Sequence, residues 1–369
     1  MELEEPVTAD LAAFIAALPK VELHVHHVGS ASPRAVAELA ERHPGVVPSD
    51  PDALATFFEF RDFAHFIEVY LAVVDLIRTP DDVRLLTYEV AREMALGQQV
   101  RYAELTCTPY TSVRPDLEDK GLGHTGLGHT GMAIEAYSEA IEDARVSAER
   151  DFGIRLRWTY DIPGEFGVPA ADATLDWALN QPTDGLVAFG LGGPEIGVPR
   201  PQFQPHFDAA RAAGLHSVPH AGETTGPQTI WDALNLLGAE RIGHGTSAAQ
   251  DPELLAHLAQ TGIPLEVCPS SNIATRAVAT LEEHPLRQFV DAGVLVTINS
   301  DDPPMFNTTL NREYEIAAEL LGLDQQGIAD LALAAVDASY APDEVKQSLR
   351  GEIRDFVGGD LLRPEPPRA

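Results

Sequence analysis

Eight short apolar runs of β-type composition recur along the chain, and stretches with helical periodicity separate most of them. The runs are 21–26 (VELHVH), 101–108 (RYAELTCT), 155–162 (RLRWTYDI), 186–192 (LVAFGLG), 215–220 (LHSVPH), 241–245 (RIGHG), 263–268 (IPLEVC) and 294–300 (VLVTINS). β-Branched and aromatic residues suit a pleated, half-buried backbone, so each run reads as a strand. Ala-, Leu- and Glu-rich segments such as 201–214, 229–240 and 282–293 lie between them. Strands alternating with helices imply a parallel sheet. Eight such units in one chain favour a closed barrel over an open doubly wound sheet. The expected fold class is therefore α/β, a (β/α)8 TIM barrel forming a single domain over 1–369. Its 369 residues suit one barrel with insertions, since barrels run from ~250 to more than ~400 residues.

The longest interval falls between the first two strands and holds ATFFEFRDFAHFIEVYLAVVDLI at 55–77. An extended helical insertion after strand 1 is expected there. Phe57, Phe58, Phe60, Phe63 and Phe66 suit a helical lid over 50–80 with an apolar underside. Packing of that helix onto the barrel explains most of them equally well. GLGHTGLGHT at 121–130 is a tandem five-residue repeat and reads as a flexible surface insertion carrying exposed His124 and His129. The tail LLRPEPPRA (361–369) is expected to be disordered.

Composition narrows the function. Hydrophobic residues make up 44% of the chain, enough for a full core, while 57 acidic against 25 basic residues give a net charge of −32. So negative a surface repels phosphate backbones, which argues against nucleic acid as a partner. Cys107 and Cys268 are the only cysteines, so neither a cysteine zinc site nor a disulfide scaffold is expected. The acidic start lacks a basic region followed by an apolar run, and no apolar stretch reaches ~18 residues. A cytoplasmic protein with no membrane contact is expected. The oligomeric state stays open, a homo-oligomer included.

Reactive side chains gather at one end of the strands. His24 and His26 end the first strand, His220 and Glu223 follow the fifth, His244 the sixth, and Asp301 and Asp302 the eighth. Barrel active sites occupy the C-terminal rim, and packing hardly explains so many there. Because strand side chains alternate with period two, His24 and His26 share a face and can bind one ion. HxH alone occurs often by chance. With His220 and Asp301 it gives three nitrogens and a carboxylate, which suit one Zn²⁺ plus a water, another divalent ion being compatible with the same donors. A binuclear site would use a carboxylated lysine near the end of the fourth strand. No lysine lies between Lys120 and Lys346, so one ion is expected. Such an ion brings the pKa of a bound water toward ~7. His244 is placed to take its proton, and Glu223, if burial raises its pKa, can protonate a ring nitrogen beside the attacked carbon.

HxH, HAGE, RIGHG and NSDDP in that order, with LPKVELHVH and LEVCPSSN, resemble the adenosine deaminase family over roughly residues 15–345. The resemblance implies a zinc-dependent (β/α)8 barrel that hydrolyses the 6-amino group of an adenine-type nucleoside. By that resemblance His24, His26, His220 and Asp301 match the metal ligands, and His244 the residue that activates and orients the water. Glu223 matches the proton donor to N1, Asp302 the group at N7, and Gly193 the backbone amide at N3. One position departs from the pattern. Adenosine deaminases carry an acid two residues after the second histidine, where it binds the ribose 5′-hydroxyl; here that residue is Val28. Losing a hydroxyl–carboxylate bond costs ~1.5–3 kcal/mol, so an apolar 5′ substituent is expected. The branch acting on 6-amino-6-deoxyfutalosine, in menaquinone synthesis, fits that change. Its benzoate would want an arginine, for which Arg61 in the lid and Arg34 are candidates. His27 offers either a further polar contact or strand-end packing. Adenosine, methylthioadenosine or S-adenosylhomocysteine as substrate are alternatives. A non-catalytic nucleoside-binding protein is disfavoured because every ligand, Glu223 and His244 are present. Cytidine-type deamination is excluded by the missing PCxxC.

Overall fold

The computed structural model describes residues 7–61, 63–113 and 132–361. Eight parallel strands follow one another in chain order: β1 Lys20–His26, β2 Val100–Cys107, β3 Arg155–Pro163, β4 Leu186–Gly192, β5 His216–Ala221, β6 Ile242–His244, β7 Leu265–Val267 and β8 Val296–Ile298. Every apolar run read from the sequence contains or overlaps one of them. β8 returns to β1 through a single bridge, Val25 against Asp301. There the His26 amide donates to the Asp301 carbonyl (2.9 Å), and the Asp301 amide to that of His24 (3.1 Å). Three of the expected metal ligands thus sit on the seam that closes the barrel.

The last three strands keep only three ladder residues each, fewer than their apolar runs suggest. The chain leaves regular pairing early there: His244, Gly245 and Asp301 have φ of 61°, 69° and 65°. Helices cover the outside of the barrel, so strand residues of both parities are buried. Along β1, Val21, Leu23 and Val25 alternate with Glu22, His24 and His26.

The insertion after β1 forms helices Pro33–Arg42, Pro51–Phe57 and Phe63–Val74. Asp50 caps the start of the second, its carboxylate accepting from the Ala53 amide. Phe60 and Phe66 pack on Phe306, which follows β8, with ring centroids 5.8 and 4.9 Å apart. The repeat at 121–130 and residues 362–369 lie outside the described residues; Leu361 ends the last helix, Asp343–Leu361. No helix among the described residues is long and apolar enough to cross a membrane.

Candidate active site

His24, His26, His220 and Asp301 converge at the C-terminal mouth of the barrel. His26 Nε2 lies 3.2 Å from His220 Nε2 and 3.2 Å from Asp301 Oδ1, while His24 Nε2 lies 3.6 Å from that oxygen. Donor atoms ~2.0–2.1 Å from one tetrahedral ion stand ~3.3–3.4 Å apart; these three separations come close to that, and His24, His26 and His220 offer nitrogens that all lie within 4.8 Å of one another. The surroundings aim the donors. The Nδ1–H of His24 donates to Glu266 (2.8 Å) and that of His220 to the Leu191 carbonyl (3.0 Å), which leaves each Nε2 lone pair facing the cluster. His24 Nε2 is buried with no hydrogen-bond partner among the described residues, as expected of an atom reserved for a metal. Ser271 donates to Asp301 Oδ2 at 2.6 Å and turns the other oxygen toward the histidines.

Glu223 and His244 face each other across this cluster, with His244 Nε2 3.6 Å from Glu223 Oε2. Burial, helped by the negative charge of Asp301, pushes the Glu223 carboxyl up to about 8, so it carries a proton to donate near neutrality. Burial pushes His244 down to about 3, the charge of His24 adding to the effect. It is a neutral imidazole with Asn272 behind its Nδ1 at 3.2 Å. Glu195 fixes the segment that carries His220 and Glu223 by accepting from the amides of Gly222 (2.6 Å), Thr224 (2.6 Å) and Thr225 (3.1 Å).

Gly193 and Asp302 line the same cavity. A Cβ on Gly193, whose φ is +73°, would overlap Glu165 Oε2, so only glycine presents its amide there. Gly29 plays the corresponding part beside Asp302, since a Cβ on it would overlap Asp302 Oδ1. Burial raises the pKa of Asp302, and its neighbour Asp301 adds to the shift. The helix Phe63–Val74 adds Phe66, Ile67, Tyr70 and Leu71 to the lining of this cavity, which holds about 80 Å³.

Other expected positions fall elsewhere. Val28 packs half-buried against the core, Arg61 is exposed at the rim, and Arg34 is exposed and paired with Glu89 at 3.4 Å. None of the three lines the cavity. His27 is a satisfied core histidine, with Nε2 2.8 Å from the Thr87 hydroxyl. The sequence reading assigned nothing to Glu266, Ser271, Asn272, Asp161 or Glu195. Glu266 left one signal, a carboxylate in the apolar run IPLEVC, where burial demands a partner. It accepts from His24 at 2.8 Å and from Arg241 at 2.6 Å.

A family model described as adenosine deaminase matches residues 19–356. The chain belongs to the adenosine deaminase family. Its curated relatives include an aminodeoxyfutalosine deaminase of Streptomyces avermitilis, 65% identical over 95% of each chain. An adenosine deaminase of Pectobacterium atrosepticum is 35% identical over 91% of this chain and 96% of its own. Among solved structures, a Burkholderia ambifaria amidohydrolase with bound Zn superposes with a TM-score of 0.84 at 27% identity, covering 98% of this chain and 97% of that one. As a member of this family the protein is a deaminase, a hydrolase of C–N bonds in cyclic amidines. The fold, the enzyme class and the family resemblance expected from the sequence all hold.

Proposed function

We propose that this deaminase hydrolyses 6-amino-6-deoxyfutalosine to futalosine and ammonia, with one Zn²⁺ held by His24, His26, His220 and Asp301. The observation that carries the substrate is the 65% identity, over 95% of both chains, to an aminodeoxyfutalosine deaminase. At the level of sequence Val28, where adenosine deaminases place an acid, agrees with it; its side chain packs on the core and does not line the cavity. Three imidazoles and one carboxylate are a donor set suited to zinc.

When bound, the ion supplies a water whose pKa falls toward ~7. The remaining chemistry belongs to the chain. Glu223 protonates N1, which makes C6 electrophilic without leaving negative charge on the ring. His244 takes a proton as the water oxygen adds to C6. Collapse expels the 6-amino nitrogen as ammonia with the proton that His244 took, while the C6 hydroxyl proton returns to Glu223, leaving a carbonyl at C6 and hydrogen on N1. The Gly193 amide donates to N3, and Asp302, in its protonated form, donates to N7. A lid closed over the site keeps bulk water from the half-aromatic intermediate.

The test is kcat/KM for aminodeoxyfutalosine against adenosine on the purified, metal-loaded enzyme. Preference for the former by an order of magnitude or more is expected, and a clear preference for adenosine would end the substrate assignment. Some adenosine turnover is compatible with it, because an apolar pocket rejects a hydroxyl only weakly.

A further inference from the structure

β3 ends in Trp158-Thr159-Tyr160-Asp161-Ile162-Pro163. Asp161 is 3% exposed, and its Oδ1 finds no hydrogen-bond partner among the described residues. Room for this carboxylate is made on the neighbouring strand. A Cβ on Gly190 would stand 2.9 Å from Asp161 Oδ1, and one on Gly192 would stand 2.7 Å from Oδ2. Asp161 lines the cavity that holds His26, Glu223, Gly193 and Asp302. A buried carboxylate oxygen without a partner is costly in a folded core. The fold nonetheless builds space for it at the edge of the substrate cavity. Such an oxygen is satisfied when a ligand brings it a donor.

The proposed orientation of the purine, on which this inference rests, decides which donor that is. N3 is assigned to β4, N1 to the segment after β5, and N7 to the residue after β8. With β1 given to the ion that faces C6, the remaining arc of the rim, β2 and β3, faces N9 and the sugar. In the anti conformer of a purine nucleoside the C2′–O2′ bond lies on the N3 side of the base. Asp161 on β3 stands next to the β4 segment that carries Gly193, where that hydroxyl arrives. We propose that Asp161 reads the ribose by accepting a hydrogen bond from its 2′-hydroxyl, which makes the enzyme selective for ribonucleosides over 2′-deoxyribonucleosides. Burial holds Asp161 up at about 7, so when protonated it can also donate to the same hydroxyl.

The test measures kcat/KM for two substrate pairs, aminodeoxyfutalosine with its 2′-deoxy analogue and adenosine with 2′-deoxyadenosine. Wild type, Asp161→Ala and Asp161→Asn are compared. In wild type the ribo form is expected to be preferred by about 10- to 100-fold, the range of a hydrogen bond to a charged group. Asp161→Ala should bring the ratio near one by slowing the ribo substrate more than the deoxy one. Asp161→Asn, which still offers an acceptor, should keep part of the preference. A wild-type ratio near one overturns the proposal, and so does an unchanged ratio in either variant. If Asp161→Ala does not fold, the wild-type and Asn ratios still decide. Failure of the substrate assignment looks different: adenosine would then be the faster base substrate, while the ribo-to-deoxy ratio remains readable on the adenosine pair.

Discussion

Replacing Glu266 by glutamine separates the metal site from the fold around it. The Glu266 carboxylate is fully buried and accepts on both oxygens, from His24 Nδ1 at 2.8 Å and from Arg241 Nε at 2.6 Å. A glutamine has one acceptor oxygen and one donor nitrogen. One of the two N–H groups must then face a donor. If it is His24, the imidazole proton moves to Nε2 and blocks the lone pair that faces the metal cluster. Loss of such a partner typically weakens metal binding by ~10–100-fold, or ~1.4–2.8 kcal/mol at ~1.4 kcal/mol per tenfold. If it is Arg241, the cost falls on stability, and it stays below the ~3–5 kcal/mol of a broken buried pair because Arg241 also pairs with Glu104 and lies 4.0 Å over the Tyr340 ring. Two measurements tell these apart: metal Kd by competition with a chromophoric chelator, and Tm of the metal-free protein. We expect the Kd of Glu266→Gln to rise at least tenfold. A Kd within twofold of wild type, with only Tm lowered, would show that Glu266 supports the barrel and not the ligand.

Four further outcomes are expected. Glu223→Gln should lower kcat by ~10²–10⁴-fold, the usual worth of a positioned acid; a variant at full rate removes Glu223 from the mechanism. Because burial raises the folded-state pKa of Glu223 to about 8, the protonated, active form is present below that value, and kcat/KM should fall as pH rises through it. A bound cation moves this break to lower pH, and a profile flat to pH ~10, above any carboxyl raised by burial, contradicts the assignment. Gly29→Ala should cut kcat/KM by ~10²-fold or more without touching a reacting group, since its Cβ would overlap Asp302 Oδ1 and displace it, and ~1 Å errors in placement cost that much; near-normal turnover would show that Asp302 is not needed where it stands. Chelation should abolish activity, and titration with Zn²⁺ should restore it fully at one equivalent, whereas a requirement for two would overturn the mononuclear reading.

The convergence of the four proposed ligands was legible because a strand's period of two and a barrel's rim are both simple rules. HxH on β1 needs only the first rule, and the order of the strands supplies the second. Glu266 was half legible. Its place between Leu265 and Val267 marks a buried carboxylate, yet its partners lie 25 and 242 residues away along the chain, and only the register of the closed barrel identifies them. Asn272 behind His244 and Ser271 behind Asp301 were hidden for the same reason. Both lie on a short helix after β7, Pro269–Ala274, whose aim no local periodicity reveals.

The insertion after β1 shows a different limit. Arg61 is close in sequence to residues that line the cavity, but nearness along a chain is not nearness to a cavity. Phe66, Ile67, Tyr70 and Leu71 line the cavity because positions one, two, five and six of a 3.6-residue helix share a face. Arg61 precedes that helix, Phe63–Val74, and so escapes its periodicity. Its carbonyl instead accepts from Arg276 at 2.8 Å, which ties the segment before that helix to the loop after β7. Arg276 itself has φ of 61°, as do or nearly do His244 and Asp301, conformations that cost a non-glycine residue of order ~1–3 kcal/mol each. Local preference fails at the proposed base, at one proposed ligand and at the arginine that binds the Arg61 carbonyl. Those are the places where the function proposed here needs side chains that regular strands and helices do not present.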